Sequence, residues 1–275
     1  MRLEEATIVL ASAPDLGAAT HVGKTHATDE DAVAIGRVEH DGVVTNALVV
    51  CDGVSSSSHG EQASASAARA ALDVLLAAAT AGNYDGPAVL REAALAGHRA
   101  ACTAGIAAVE GKDPSGTTFV AALQTGDRID VSWIGDSRAY LIGSEPAALT
   151  HDHSWANQVI DSGEMTEDEA MHAPYAHALL HCIGPLEEPD ADKAPEPSVG
   201  HAVIAESGSR LVLCSDGLWN YASSPAAIAA LIDEATDADA AAMAARLVQR
   251  ALDLGGHDDV SVAVAFLGTP EGPHG

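Results

Sequence analysis

Four times along the chain an apolar run stops at an aspartate beside a glycine or another turn residue. The instances are Val49-Val50-Cys51-Asp52-Gly53, Val131-Ser132-Trp133-Ile134-Gly135-Asp136, Val212-Leu213-Cys214-Ser215-Asp216-Gly217, and Gly255-Gly256-His257-Asp258-Asp259, the last just before an apolar run. A fifth acidic group, Asp29-Glu30-Asp31, precedes the run that begins at Ala32. One Asp-Gly pair is an ordinary turn; the recurrence is the constraint. Strands that end at one edge of a sheet bring their carboxylates together, and clustered carboxylates repel one another in a partly buried site. A divalent cation removes that conflict, and oxygen-only ligation selects Mg²⁺ or Mn²⁺ over zinc, which more often recruits Cys or His. Glycine after the aspartate lets the backbone turn tightly and expose its carbonyl.

The elements around these sites read as follows. Short β-rich runs lie at Ala32–Val38, Ala47–Cys51, Thr117–Leu123, Ile129–Ile134, Arg138–Ile142, Val199–Ala205, Arg210–Cys214 and Val260–Phe266. Helical stretches fill Glu61–Ala79, Pro87–Val109, Pro225–Glu234 and Ala238–Leu254. Short turns join many of the strands, so the sheets are mainly antiparallel. Two helices follow the early strands and two the late ones. The expected fold is α+β, two packed sheets covered by helices on both outer faces. With 275 residues the chain suits one domain, taken as 1–268, with 269–275 as a flexible tail. Between the halves, 149–184 is polar, rich in His and Asp and without a strong period, and is expected to form a mobile subdomain; Glu187–Pro197 is an acidic, Pro-rich connector.

Charge excludes several functions. Thirteen basic residues stand against 40 acidic ones, a formal −27 that repels nucleic acid and anionic membranes. The run Ala6–Ala13 follows two glutamates and is too short for a signal peptide or membrane span, and no later segment approaches ~18 uninterrupted apolar residues. Cys51, Cys102, Cys182 and Cys214 are far apart, form no CxxC pair and read as reduced core thiols. A cytoplasmic protein is expected, with monomer as the default. Ala18–Thr25 nearly spells a phosphate-binding P-loop, but Ala18 replaces its leading glycine and an acidic, strand-like stretch follows it. No G-x-S-x-G elbow appears.

Taken in order, the motifs resemble those of the metal-dependent, type 2C serine/threonine phosphatase family of bacterial type. They are Thr28-Asp29-Glu30-Asp31-Ala32, Val50-Cys51-Asp52-Gly53-Val54, Ser115-Gly116-Thr117-Thr118, Ile134-Gly135-Asp136-Ser137-Arg138-Ala139-Tyr140, Leu149-Thr150-His151-Asp152-His153-Ser154, Cys214-Ser215-Asp216-Gly217-Leu218-Trp219 and Asp258-Asp259-Val260-Ser261-Val262. The match runs from about Thr20 to Phe266. The resemblance implies a four-layer α/β/β/α sandwich around a centre of two Mg²⁺ or Mn²⁺ ions. It makes Asp52 the bridging ligand, with Asp216 and Asp258 completing the first site. The Gly53 carbonyl binds the second ion, with Glu30 and Asp31 as direct or water-mediated ligands, and Asp136 helps hold a weaker third. The implied reaction is hydrolysis of phosphoserine and phosphothreonine by a metal-activated water, without a covalent phosphoenzyme. Phosphorylated proteins are the implied substrates, in opposition to a serine/threonine kinase. The ions also answer how so acidic a chain holds an anion.

The sequence departs from the family pattern at several points. His26 stands where the family commonly has a phosphate-binding arginine, and is expected to contact phosphate in its place. Asp259 stands where Asn is usual. His59 is a weak candidate for the general acid, which no side chain fills firmly, and a polar loop before Glu61 is the plainer reading. Arg138 is expected in a structural ion pair. In the 149–184 segment, which corresponds to the family's flap, His172-Ala173-Pro174-Tyr175-Ala176-His177 replaces the common His-Pro with a nearby Arg. His151 and His153, two apart with no third ligand, do not make a zinc pair. The alternative to an enzyme is a pseudophosphatase acting as a binding or regulatory module, against which Asp52, Asp216 and Asp258 stand intact.

Overall fold

The computed structural model describes residues 7–104, 114–185, 196–200, 203–233 and 239–268. The 269–275 tail lies outside these residues, as do the end of the helix expected to reach Val109 and most of the 187–197 connector.

Two antiparallel six-stranded sheets form the interior. The first contains β1 (Ile8–Ala13), β2 (Leu16–His21), β7 (Arg138–Ile142), β8 (Ala147–Ala148), β11 (Arg210–Cys214) and β12 (Val260–Phe266), in the order β1-β2-β12-β11-β7-β8. The second contains β3 (Asp31–His40), β4 (Val43–Asp52), β5 (Phe119–Thr125), β6 (Arg128–Ile134) and β10 (Val203–Ile204), in the order β10-β6-β5-β4-β3, and β9 (Ser198–Val199) also pairs with β6. The single strand expected over Val199–Ala205 is thus two short pieces on one edge of β6, against Ser132–Trp133 and Arg128–Ile129. Gly200, whose amide bonds the Val131 carbonyl, lies between them.

Alternation along the strands builds the layers. Leu48, Val50, Leu211, Leu213, Ala263 and Ala265 point between the sheets and share one core. Ala47, Val49 and Cys51 turn the other way, onto α1 (Gly60–Thr80) and α2 (Gly86–Ala104). Val212, Cys214, Val262 and Val264 face the short α5 (Asp216–Trp219), α6 (Pro225–Asp233) and α7 (Ala240–Leu254). The result is the expected α/β/β/α sandwich. Small residues set its spacing. Helix α1 buries Ala63, Ala67, Ala71 and Leu75 at intervals of four, one face of a 3.6-residue period. A Cβ on Gly17 of β2 would lie 2.3 Å from the Ala241 amide nitrogen, so α7 rests directly on that strand.

Strands β1 and β2 were not anticipated, and β2 takes up the start of the near P-loop. No helix follows Thr25, as a phosphate-binding loop requires. The 149–184 segment carries α3 (Trp155–Asp161) and α4 (Glu167–Met171), packed through Ala156, Val159, Ala170 and Ala176. Ser154 caps the first helix, and Thr166 with Glu169 forms a capping box on the second. Among the described residues no helix is long and apolar enough to cross a membrane.

Candidate metal centre

The strand ends meet as the sequence pattern requires. Strands β3 and β4 are joined by Asp41-Gly42, both at positive φ, and the register makes Asp31 and Asp52 direct partners. In the other sheet Cys214 pairs with Arg138 on one side and Val262 on the other, so the turns bearing Asp136, Asp216 and Asp258 share one edge. Asp52, Glu30, Asp216 and Asp258 remain partly accessible, whereas Asp31, Asp136 and Asp259 are buried.

Each backbone is held in place. Thr118 Oγ1 accepts the Asp52 amide at 2.9 Å, while the Thr118 amide and Thr117 Oγ1 donate to the Asp52 carbonyl, each at 2.8 Å. Thr118 Oγ1 also meets Ser137 Oγ at 2.7 Å, tying the Asp136 turn to the Asp52 turn. The Gly53 amide donates to the Glu30 carbonyl at 3.0 Å. A Cβ on Gly53 would come within 2.6 Å of that oxygen and 2.7 Å of Gly60 backbone, so only glycine fits. Beneath Asp31 lies a closed ring of hydrogen bonds. Ser215 Oγ donates to Asp31 Oδ2 at 2.6 Å and accepts the Ser261 amide at 3.0 Å. Ser261 Oγ donates to Thr20 Oγ1, Thr20 Oγ1 to Asp29 Oδ2, and the Asp31 amide to Asp29 Oδ1.

The electrostatics match a site built for cations. Burial pushes the Asp52 carboxyl well above the usual range, and the next influences in order are Asp31, Asp216, Asp136 and Asp258, all carboxylates. Asp31 is raised well above its usual value by burial and Asp29, against the Ser215 hydrogen bond. Asp136 is pushed up to about 8 by burial, Asp216 and Asp152, with Arg138 pulling it back. Burial and Asp258 raise Asp216, which Asn220 Nδ2 reaches at 3.2 Å. These carboxylates and the carbonyl of Gly53 form a hard-oxygen donor set, and Mg²⁺ or Mn²⁺ fits both its charge and its chemistry.

The remaining candidates fall into place around this floor. Arg138 grips Asp152 with two nitrogens, Nε to Oδ1 at 2.9 Å and Nη2 to Oδ2 at 2.6 Å, and lies 3.8 Å over the Trp219 ring. Trp219 Nε1 donates to the Asp136 carbonyl, so the expected structural pair also braces the Asp136 turn. His151 bonds Asp161 and His153 accepts the Gly135 amide, so these imidazoles serve separate partners. His59, at φ 57°, precedes α1 and faces Glu61 at 3.7 Å. His26 Nδ1 lies 3.2 Å from Asp259 Oδ2 and 3.5 Å from Asp258 Oδ1. Burial lowers the His26 pKa, but the Asp259 and Asp258 carboxylates outweigh it and raise it above 6.5.

Sequence reasoning missed three supports. Asp259 clamps the 22–30 loop, accepting the Gly23 amide at 2.8 Å and the Glu30 amide at 2.7 Å. Tyr221 OH reaches His257 Nδ1 at 2.8 Å and accepts its amide at 3.2 Å, joining the loop after Asp216 to the loop before Asp258. The Ser215 ring is the third; its only sequence signal is a hydroxyl between an apolar strand and an aspartate.

Residues 20–252 match the protein phosphatase 2C family. Serine/threonine protein phosphatase PstP of Mycobacterium tuberculosis is 33% identical over 151 residues, which cover 54% of this chain and 27% of that protein. Protein phosphatase PhpP of Streptococcus pneumoniae is 35% identical over 154 residues, covering 55% of this chain and 58% of that one. The chain thus spans less than two-thirds of either relative. The crystal structure of the catalytic domain of PstP in complex with two manganese ions superposes with a TM-score of 0.66, at 27% identity, over 96% of this chain and all of that one.

Proposed function

Because this chain belongs to the protein phosphatase 2C family, we propose that it is a metal-dependent serine/threonine protein phosphatase working with two Mg²⁺ or Mn²⁺ ions and a weaker third. The observation that carries this reading is Asp52, the register partner of Asp31, which burial and then the charges of Asp31, Asp216, Asp136 and Asp258 push well above the usual carboxylate range. Asp52 would be shared by the two principal ions, with Asp216 and Asp258 completing the first site and the Gly53 carbonyl, Glu30 and Asp31 the second. Asp136 would serve the third. When bound, such ions neutralise phosphate oxygens and supply a water that ionises near neutral pH.

The chain's own residues prepare that chemistry. Thr117 and Thr118 fix the Asp52 backbone, and Ser215 holds one Asp31 oxygen. His26 offers its outer ring nitrogen to the phosphate. Residues 1–268 act as one catalytic domain, with 149–184 as a flap. Both ends of that segment are tied to turns of the site: His153 to Gly135 beside Asp136, and Ile183 to Thr117 beneath Asp52. The reading extends to a monomer in the cytoplasm that opposes a serine/threonine kinase. Its test is phosphate release from a phosphoserine or phosphothreonine peptide. Release that requires Mn²⁺ or Mg²⁺ and stops with EDTA supports it; release indifferent to EDTA contradicts it.

A further inference from the structure

Asp259 is buried at the foot of β12, and the two amides it accepts, from Gly23 and Glu30, fold the intervening loop over the start of that strand. His26 rides on this loop. Its Nδ1 atom is itself buried, lies 3.2 Å from Asp259 Oδ2 and 3.5 Å from Asp258 Oδ1, and is aligned with neither as a hydrogen-bond donor. Among the described residues this is the one set of three His, Cys, Asp or Glu ligand atoms lying within 4.8 Å of one another. Two ligands at right angles on an ion bound at about 2.1 Å stand about 3 Å apart, close to the two separations here. Each Asp259 oxygen accepts one amide and keeps a second lone pair.

We propose that His26 Nδ1, with Asp258 and Asp259, ligates a divalent transition-metal ion, which makes the centre one of mixed nitrogen and oxygen donors that prefers Mn²⁺ to Mg²⁺. The proposal rests on the reading of the chain as a metal-dependent phosphatase. Every other residue assigned to the centre offers oxygen alone. Imidazole suits first-row transition metals, whereas Mg²⁺ keeps oxygen ligands and water in a near-ideal octahedron. Ligation through Nδ1 leaves the hydrogen on Nε2, so the same ring still has a donor for a phosphate oxygen.

The experiment is electron spin-echo envelope modulation on the full, tag-free chain saturated with Mn²⁺, with metal stoichiometry measured alongside. A ¹⁴N coupling of imidazole type is expected in the wild type and lost in both His26→Gln and His26→Ala. His26→Gln should also lower the preference for Mn²⁺ over Mg²⁺ about tenfold in competition binding, the low end of what removing even an outer-shell partner costs in metal affinity. Mn²⁺ bound without the ¹⁴N coupling, or with a coupling that survives both substitutions, overturns the proposal and leaves His26 as an ion-pair partner of Asp258 and Asp259. A folded chain that binds no Mn²⁺ overturns the phosphatase reading as well.

Discussion

Asp31 and Asp52 are register partners across the β3–β4 hairpin, so two carboxylates face each other at the mouth of the sandwich. Burial and neighbouring carboxylates raise both, and Asp136 is pushed to about 8 from 3.8. A carboxyl whose folded pKa is raised contributes stability that is fully present below the unfolded value and lost as pH rises through the folded one. Between pH 6 and 8, unfolded carboxyls are already ionised while folded Asp136 still takes up a proton. The metal-free chain should therefore melt lower at pH 8 than at pH 6. Asp136→Asn should flatten that slope, and added Mn²⁺ should raise Tm more at pH 8 than at pH 6. Thermal melts in EDTA and in Mn²⁺ check all three.

Ser215 and Ser261 belong to one ring of hydrogen bonds, yet their substitution should separate. Ser215→Ala removes the 2.6 Å donor from Asp31 and leaves the buried Ser261 amide unpaired, so it should cost about 1–3 kcal/mol while weakening Mn²⁺ binding. Ser261→Ala keeps the backbone amide on Ser215, so it should cost about 1 kcal/mol and leave Mn²⁺ binding unchanged. Urea unfolding and calorimetric metal titration distinguish the two.

Gly53→Ala places a methyl against two stretches of backbone, the Glu30 carbonyl and Gly60. Overpacking of this kind costs about 1–3 kcal/mol. Because the Gly53 carbonyl moves with the clash, one of the two principal ions should be lost. Metal content after dialysis is the measurement.

Arg138→Lys keeps the charge but loses the two-pronged grip on Asp152 and the stack on Trp219. Unfolding free energy should fall by about 1.5–3 kcal/mol, the scale of a charged hydrogen bond. Arg138→Ala leaves Asp152 buried without its partner and should cost about 3–5 kcal/mol. Equal effects of the two substitutions would show that the guanidinium geometry carries nothing.

The parts of the fold legible in the sequence were those with local causes. An apolar run ending in Asp-Gly is visible because strand, turn and ligand are contiguous, as at Asp52 and Asp216. Strand β2 was hidden because Gly17, Ala18 and Ala19 replace the β-branched residues a strand usually shows. The packing explains those small residues, since α7 leaves no room for a Cβ at Gly17. Helix α4 carried its signal in Thr166 and Glu169, masked by the polar composition around it. The clamp at Asp259 was beyond reach because its partners, Gly23 and Glu30, are 236 and 229 residues away in the chain. The contact of His26 with Asp258 and Asp259 was hidden for the same reason.

Asp52, proposed as the ligand shared by two ions, is the residue on which turnover depends most directly. Turnover of a phosphothreonine peptide should be measured for the wild type and Asp52→Asn at saturating Mn²⁺, with EDTA controls and the fold of each verified. Metal-dependent phosphate release by the wild type is expected, abolished by EDTA and lowered at least about 100-fold by the substitution, the scale on which one charge-stabilising group contributes to a reaction. Full turnover by folded Asp52→Asn, or none by the folded wild type under any divalent metal, would contradict it.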